Sequence, residues 1–254
     1  MASKTYSLHA LVLRRTKLGE SDVICTLLAE NGSQVRAIAK GARKPSSPFS
    51  SRLEVYAVCD LLLSQGRSLD IVKEARLVQG NAHLRNDISL MQAAAPIVEL
   101  LDRATQAGLQ DERLFPMSCA ALSALGEQAC PYPLITSAQL LKSLAVLGFR
   151  PRLDACVSCG KALRLPGGSE TVPFSVLEGG VLCSACAPSF EAMRVEGSLL
   201  AWLHSLLFST FAQIGQFDAD PRTCLELLRF LQIWIRQHLG LRLKSLDFLV
   251  SNPL

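Results

Sequence analysis

The chain has 254 residues, of which 49% are hydrophobic and 19% are charged. This composition, with a net charge of only +4, excludes an intrinsically disordered protein and a collagen-like or coiled-coil fibre. The charge is uneven: residues 1–85 hold 13 Lys or Arg against 7 Asp or Glu, whereas residues 86–254 hold 13 against 15. A basic N-terminal third before a weakly acidic remainder indicates a polyanion-binding module joined to a second part.

Five short runs rich in Val, Ile, Leu and Thr follow one another in the N-terminal third. Turn signals separate them, and Asn31-Gly32 is a good hairpin signal. The runs cover residues 6–13, 23–29, 35–39, 53–63 and 69–77. Five short strands with tight turns predict a small closed barrel. The OB-fold is the commonest five-stranded barrel, and an SH3-like barrel is the alternative.

Cations are concentrated in this predicted barrel. Arg36 and Lys40 share one strand face at period two, and other cations end the first strand or lie in the Pro- and Ser-rich loop 40–52. The candidate DNA-binding residues are Arg14, Arg15, Lys17, Arg36, Lys40, Arg43, Lys44, Phe49 and Arg52. Phe49 is the candidate for base stacking. The charge favours sequence-tolerant binding to a nucleic-acid backbone, and a solvated charged face is the alternative.

After the barrel, the apolar spacing changes from alternation to a period near 3.6, which indicates helices. A stripe over residues 91–101 predicts one helix, whose pattern ends at Gly108. A stripe over residues 140–147 predicts a second helix, with Thr136 or Ser137 as its N-cap.

Two further helices are predicted near the C-terminus. Residues 199–217 carry no formal charge, but their polar side chains predict a buried amphipathic helix, N-capped by Ser198, rather than a membrane span. Asp220 and Pro221 begin the last helix, which ends at Gly240. This helix is apolar over most of its circumference, so we expect it to lie centrally in a helical bundle.

Two CxxC pairs form the most specific motif of the chain. Cys156, Cys159, Cys183 and Cys186 supply four thiolates, the donor set that Zn²⁺ binds in tetrahedral geometry. Four protein ligands close the metal, so we predict a structural zinc site that supplies folding energy to an insertion over residues 151–190. A 4Fe–4S cluster is a weaker alternative, and a thioredoxin-like redox centre lacks its βαβ setting.

No catalytic constellation accompanies these features. The sequence contains no P-loop, GxGxxG, HExxH or GxSxG motif, and its four histidines stand apart. We therefore expect a binding protein with no catalytic residues rather than an enzyme. The odd number of cysteines and the lack of a secretory signal predict a reducing, cytoplasmic location.

Three stretches stand in a characteristic order around the cysteine tetrad: ALVLRRTKLGESD at 10–22, AKGARK at 39–44 and HLGLRLKS at 238–245. With the barrel, the helices and the inserted cysteines, they resemble the RecO family of bacterial DNA repair proteins. The resemblance spans nearly the whole chain.

The resemblance implies a recombination mediator that binds single- and double-stranded DNA and anneals complementary strands. It implies contact with the C-terminal tail of the single-strand-binding protein SSB, with RecR and indirectly with RecA, at the nucleoid and not at a membrane. The candidate SSB-tail residues are the cations near the C-terminal helix, namely Arg229, Arg236, Arg242 and Lys244.

The sequence therefore predicts an α+β multidomain chain: an N-terminal OB-fold β-barrel followed by an α-helical bundle with an inserted four-cysteine zinc-binding segment. The expected divisions are 1–80 for the basic barrel, 81–150 and 191–254 for the two helical parts, and 151–190 for the insertion. Two alternative functions remain: a zinc-stabilised protein-interaction adaptor with incidental DNA affinity, and a zinc-ribbon transcription or RNA factor.

Overall fold

The computed structural model describes residues 4–108, 110–127, 130–166 and 168–252. Its contacts divide the chain into two compact units, Met1–Glu127 and Gln128–Leu254. The four-part division expected from the sequence stays a prediction. Among the described helices, none is both long enough and apolar enough to cross a membrane.

Five strands close into a barrel in the N-terminal unit. They are β1 (Thr5–Leu18), β2 (Asp22–Ala29), β3 (Gln34–Ala39), β4 (Val58–Ser64) and β5 (Asp70–Gln79). Around the barrel the order is β1-β2-β3-β5-β4, and β3 and β5 pair in parallel while the other neighbours are antiparallel. This confirms the predicted α+β fold with an N-terminal five-stranded barrel of the OB type.

The loop between β3 and β4 helps to fill the barrel. Ala42, Leu53 and Ala57 are buried in the same core as the inward-facing residues of the strands. The fourth strand therefore begins at Val58, not at residue 53 as the sequence pattern suggested. The chain turns before it, because Tyr56 has a left-handed φ of 73° while its backbone N–H donates to the carbonyl of Val12.

Three helices follow the barrel within the same unit: α1 (His83–Asn86), α2 (Ile88–Ala104) and α3 (Leu114–Glu127). The Asp87 carboxylate caps α2 by accepting from the backbone N–H of Leu90 at 3.0 Å. The helix ends at Ala104, four residues before the predicted stop at Gly108. The Gln34 side chain of β3 donates to the carbonyl of Asp102 at 2.8 Å, which fastens α2 to the barrel.

The C-terminal unit combines helices with a small sheet. Its helices are α4 (Tyr132–Val146), α5 (Gly197–Phe208), α6 (Phe211–Ile214), α7 (Pro221–Leu239) and α8 (Lys244–Ser251). Its strands are β6 (Thr171–Ser175), β7 (Gly180–Val181) and β8 (Met193–Glu196), in the order β7-β6-β8. The sheet lies in the segment that separates α4 from α5.

The predicted start of the second helix is wrong. Thr136 and Ser137 are fully buried inside α4 rather than capping it. The helix begins one turn earlier because Pro131 precedes it at the N-cap, where its fixed φ suits a helix start and its missing N–H costs no intrahelical hydrogen bond.

The predicted helix over residues 199–217 is two helices. Ser209 and Thr210 are extended, with ψ of 148° and 162°, so α5 ends at Phe208. Thr210 then caps α6 in a reciprocal box with Gln213. The predicted cap Ser198 lies inside α5, whose N-cap is Glu196.

The last long helix begins and ends at the predicted residues, but it is amphipathic, with one buried side, rather than apolar over most of its circumference. The Asp220 side chain accepts from the backbone N–H of Thr223 at 2.9 Å, and Pro221 takes the first helical position. Gly240 ends α7 with a φ of 63°, a left-handed conformation that favours glycine. Trp234 at its centre is 1% exposed, and its indole N–H donates to the carbonyl of Phe149.

We expect Gly32→Ala to destabilise the N-terminal unit. Gly32 has a φ of 84°, and an added Cβ would lie 2.2 Å from the carbonyl oxygen of Asp111. Left-handed strain and overpacking together predict a loss of about 3 kcal/mol in the free energy of unfolding. Urea denaturation would measure it. Gly19→Ala is the matched control, because Gly19 also has a positive φ but an added Cβ meets nothing within 4 Å; we expect a loss of about 1 kcal/mol. Equal losses for both variants would contradict the clash.

Candidate metal centre and polyanion-binding surface

The two CxxC pairs bring four sulfurs to one point. The Sγ atoms of Cys156, Cys159, Cys183 and Cys186 all lie within 4.8 Å of one another. Those of Cys159 and Cys183 are 3.8 Å apart. A tetrahedral ion with Zn–S bonds of about 2.3 Å separates its sulfurs by about 3.8 Å. The donor set and the spacing therefore fit a zinc ion.

Each CxxC pair ends a tight turn. In the first, the backbone N–H of Gly160 donates to the carbonyl of Cys156 at 2.9 Å, and Gly160 has a φ of 75°. In the second, the N–H groups of Cys186 and Ala187 donate to the carbonyl of Cys183 at 3.1 and 2.9 Å. Each turn directs both sulfurs of its pair toward the same point. A turn of this size has two residues between the two ligands, which explains the CxxC spacing.

Two thiols of the cluster, those of Cys156 and Cys183, have lowered pKa values. In Cys186, the hydrogen bond with Ser158 is outweighed by those with the Cys183 and Cys159 thiols, which raise the pKa of Cys186 to about 11. The backbone N–H groups of Cys159 and Cys183 lower the pKa of Cys156 to about 6. Burial instead raises the pKa of Cys59 to about 12 and that of Cys25 to about 11. Because a metal binds the thiolate, the cluster is suited to a metal and the buried barrel cysteines act as small apolar side chains.

A group of barrel cations gathers where the β1–β2 turn meets the loop after β3. The Asp22 carboxylate accepts from the backbone N–H of Gly41 at 2.8 Å, and the Arg43 N–H donates to the carbonyl of Ser21 at 2.9 Å. The Gly41 hydrogen bond, helped by Lys40 and Lys44, lowers the pKa of Asp22. We call the cations at this end, Lys17, Lys40, Arg43 and Lys44, the turn cluster; all four are exposed.

Arg43 differs from the lysines of the turn cluster. Its guanidinium donates to the carbonyl of Glu20 at 2.9 Å and to that of Gly19 at 3.3 Å. Among the described residues, Lys17, Lys40 and Lys44 form no ion pair. The lysine ammonium groups are thus directed to solvent, whereas Arg43 also holds the two turns together.

The outer face of β2 and β3 continues this cationic surface. Arg14, Thr26 and Arg36 stand opposite one another across three strands, and Arg36 is exposed. Arg14 lies 3.3 Å from the Asp102 carboxylate, so its charge is partly offset. Ile24 and Ile38 are half-buried cross-strand partners, and they give the face an apolar strip.

The structure places the three remaining predicted barrel residues elsewhere. Arg15 pairs with Glu54, and its side chain is only 20% exposed. The Arg52 guanidinium donates to the carbonyl of Ala75 at 2.9 Å, and Phe49 packs against the barrel core. Arg52 and Phe49 line a surface groove of about 820 Å³ that also contains acidic side chains, namely Glu30, Asp60 and Glu74.

One cation beside the β3 face escaped the sequence analysis. Arg67, in the β4–β5 turn, lines a cleft of about 410 Å³ together with Arg36. Gly66 and Arg67 lie between the fourth and fifth predicted strands. The sequence does not show that Arg67 lies near Arg36, because the parallel pairing of β3 with β5 joins strands that are far apart in sequence.

The four predicted tail-binding cations lie on or next to α7 and α8. Arg236 and Arg242 both approach the Asp247 carboxylate, Arg236 at 3.6 Å. Burial raises the pKa of Asp247, but the hydrogen bonds from Arg242 and Gln232 and the charges of Arg242 and Arg236 together outweigh it, so the net shift is downward. Arg229 and Lys244 are exposed on the same helices. The sequence analysis missed two exposed apolar neighbours, Ile233 and Phe248, at 47% and 51% exposure.

Comparisons with known proteins match nearly the full chain. A family model described as Recombination protein O N terminal matches residues 1–81, and one described as Recombination protein O C terminal matches residues 85–247. The chain is 38% identical over 252 residues to the DNA repair protein RecO of Bifidobacterium longum, which covers 97% of this chain and 99% of that protein.

More distant relatives carry the same name. The DNA repair protein RecO of Frankia casuarinae is 35% identical over 246 residues, which covers 96% of this chain and 98% of that protein. That of Desulfitobacterium hafniense is 30% identical over 244 residues, which covers 94% of this chain and 87% of that protein.

We expect Cys159→Ser to abolish stoichiometric metal binding. Removing one of four sulfurs opens the tetrahedral site, so zinc content should fall from about one ion per chain to well below that. Atomic absorption would measure the zinc, and Co²⁺ substitution would report the sulfur ligands by its visible spectrum. Cys119→Ser is the control, because Cys119 is a thiol outside the cluster. Full zinc content in Cys159→Ser would contradict a four-sulfur site.

Proposed function

The chain belongs to the RecO family of DNA repair and recombination proteins, and on that basis we propose that it is a recombination mediator. It binds single- and double-stranded DNA through the basic barrel and anneals complementary strands. The observation that carries the proposal is the surplus of lysines in the turn cluster that form no ion pair among the described residues, continued by Arg36 along the exposed face of β3. Membership of the family indicates the process, which is DNA repair and recombination. The barrel cations indicate how the protein would bind DNA, through its phosphates.

The barrel cations suit a phosphate backbone. Arg36 lies within β3, and Lys40 lies in the turn directly after the strand ends at Ala39 rather than on the strand face expected from the sequence. Lys44 and Lys17 extend the charge at the end of the strand. Each lysine contact with a phosphate releases a counterion, so affinity should fall steeply with salt. The half-buried Ile24 and Ile38 offer an apolar surface but no hydrogen-bonding pattern, which predicts binding with little sequence preference.

Annealing follows from the same charges. Two complementary strands repel each other through their phosphates, and this repulsion slows their encounter. Cations that neutralise the phosphates of one strand lower the repulsion between that strand and its complement. No catalytic residue is required for this step, and we expect the protein not to be an enzyme.

The four-cysteine site supports the fold of the C-terminal unit in this proposal. Cys156, Cys159, Cys183 and Cys186 would hold one Zn²⁺, which links the two CxxC turns. The hydrophobic cluster around the cysteines is small: its buried members are Cys156, Leu182 and Cys183. Metal ligation therefore contributes folding free energy that apolar burial alone does not supply.

The surface on α7 and α8 is our candidate for the acidic tail of SSB. Arg229, Arg236, Arg242 and Lys244 supply positive charge, and the exposed Ile233 and Phe248 supply apolar contacts for the same peptide. The pairing of Arg236 and Arg242 with Asp247 reduces the charge available. The other proposed partners are RecR and, through RecR, RecA. We expect the protein to act at the nucleoid, in the cytoplasm.

A zinc-stabilised interaction adaptor is the second candidate. The exposed Ile233 and Phe248 favour it, because they would serve any protein partner. An adaptor with incidental DNA affinity would not accelerate annealing, which separates the two candidates.

We expect Arg36→Ala/Lys40→Ala/Lys44→Ala to weaken DNA binding. Three lost phosphate contacts should lower the slope of log affinity on log salt by about 2 for a single strand. Fluorescence anisotropy at several salt concentrations would measure it. Arg43 is left in place because it joins the turns, and Lys73→Ala/Arg76→Ala on β5 is the control. An unchanged affinity and slope in the triple variant would contradict the barrel site.

We expect the protein to accelerate annealing of complementary oligonucleotides coated with SSB. The rate should fall as salt rises, because the contacts are with phosphates. Fluorescence quenching between labelled strands would follow the reaction, with protein-free strands as the reference. A folded, zinc-loaded protein that leaves the rate unchanged would favour the adaptor.

A further inference from the structure

The C-terminal unit holds cations that the proposed function does not use. Between residues 142 and 164 the chain has five Lys or Arg and a single acidic residue, Asp154. The five cations are Lys142, Arg150, Arg152, Lys161 and Arg164. All but Lys142 are exposed, and these four form no ion pair with a described residue. A surplus of solvent-directed positive charge is therefore concentrated on this segment.

An exposed aromatic ring accompanies these cations. Phe208, the last residue of α5, is 57% exposed. The Arg150 guanidinium carbon lies 4.8 Å from the centre of its ring, and the His204 ring centre lies 4.6 Å from it. The guanidinium, the imidazole and the phenyl ring thus form a group of planar side chains at the surface, with a cation–π contact that orients Arg150.

The end of α5 that carries this ring is held in place. The Lys142 ammonium of α4 donates to the carbonyl of Leu207 at 2.8 Å and lies 6.0 Å from the ring centre of Phe211. This lysine therefore satisfies a carbonyl at the helix end, where unpaired carbonyls otherwise accumulate. Phe208 is thus the last residue of a helix whose end is held in place. Its position is fixed before a ligand binds, which lowers the entropic cost of binding.

We propose that Arg150, Arg152, His204 and Phe208 form a second contact surface for single-stranded DNA, which we call the stacking patch. The inference rests on the proposed function, since a protein that anneals two strands gains from holding both. Arg150 and Arg152 line a common cleft of about 300 Å³, in which Glu178 is the acidic side chain. The arginines contact phosphates, and the exposed ring and guanidinium stack on bases of any sequence.

The shape of the stacking patch favours a nucleic acid over an acidic peptide. Phe208 protrudes from a helix end, and a protruding ring stacks on a base, whereas the apolar end of a peptide needs a cavity to enter. Arg150 and Arg152, two residues apart in the chain and both exposed, supply two charges for the phosphates of a nucleic-acid strand.

The test compares two double variants of the full chain. Arg150→Ala/Phe208→Ala removes one cation and one exposed apolar side chain from the stacking patch. Met193→Ala/Arg194→Ala removes the same two kinds of side chain from β8. That strand is the opposite edge of the sheet from β7, where Arg152 bridges Gly180. Zinc content and thermal unfolding of both variants would establish that the unit stays folded.

Fluorescence anisotropy with a short thymine oligonucleotide measures the effect. We expect the patch variant to bind about tenfold more weakly, through the loss of one stacked base and one phosphate contact. The slope of log affinity on log salt should fall by about 0.7. The β8 variant should bind as the unaltered chain does. The proposal is overturned if the patch variant keeps the affinity and slope of the unaltered chain.

Two further measurements separate the possible failures. If the patch variant binds the oligonucleotide normally but loses affinity for a short Asp-rich peptide, the patch is a peptide site and the proposal is wrong. If Arg36→Ala/Lys40→Ala/Lys44→Ala also leaves oligonucleotide binding unchanged, the proposed function fails as well. If that barrel variant alone weakens binding, only the second surface is refuted.

Discussion

The hydrogen bond between the Asp22 carboxylate and the backbone N–H of Gly41 fixes where the barrel carries its charge. It joins the residue that begins β2 to the loop that leaves β3, and Arg43 reinforces the junction from the other side. Together these hydrogen bonds keep the loop that carries Lys40 and Lys44 beside the β1–β2 turn. The carboxylate also balances part of the local repulsion between these lysines, so cations can gather there without destabilising the turn.

Ion pairing separates the arginines that support the fold from the cations available for binding. Arg14 and Arg15 are adjacent in sequence, yet one meets Asp102 of α2 and the other meets Glu54 of the β3–β4 loop. Neither retains its full charge for a ligand. Lys17, two residues further on, lies beyond the reach of these carboxylates. A basic stretch in a sequence therefore overstates the charge of the surface, and the structure shows which members contribute to it.

Local patterns foresaw the parts of this fold that depend on neighbours in sequence. Strand positions, the cap at Asp220 and the stop at Gly240 follow from residue type and spacing, and the CxxC turns follow from the reach of two thiols on one turn. The parts that depend on distant residues were missed. Residues 53–57 were assigned to the fourth strand, but they belong to the loop before it, from which Leu53 and Ala57 fill the barrel. The parallel pairing of β3 with β5, which places Arg67 beside Arg36, has no local signature.

The four-cysteine cluster and the proposed stacking patch share one short segment of the chain. Arg152 bridges to Gly180, its backbone N–H and carbonyl bonding to Gly179 and Val181, and Cys183 follows two residues after Val181. The backbone N–H of Val157, next to Cys156, also donates to the carbonyl of Val181 at 3.0 Å. Metal ligation at the cysteines would therefore fix the strand pairing that positions Arg152. Because the buried cluster around the cysteines is small, loss of a bound metal should loosen the segment that carries Arg150 and Arg152 before it affects the helices. In the proposed function, a structural ion would thus support DNA binding without contacting DNA.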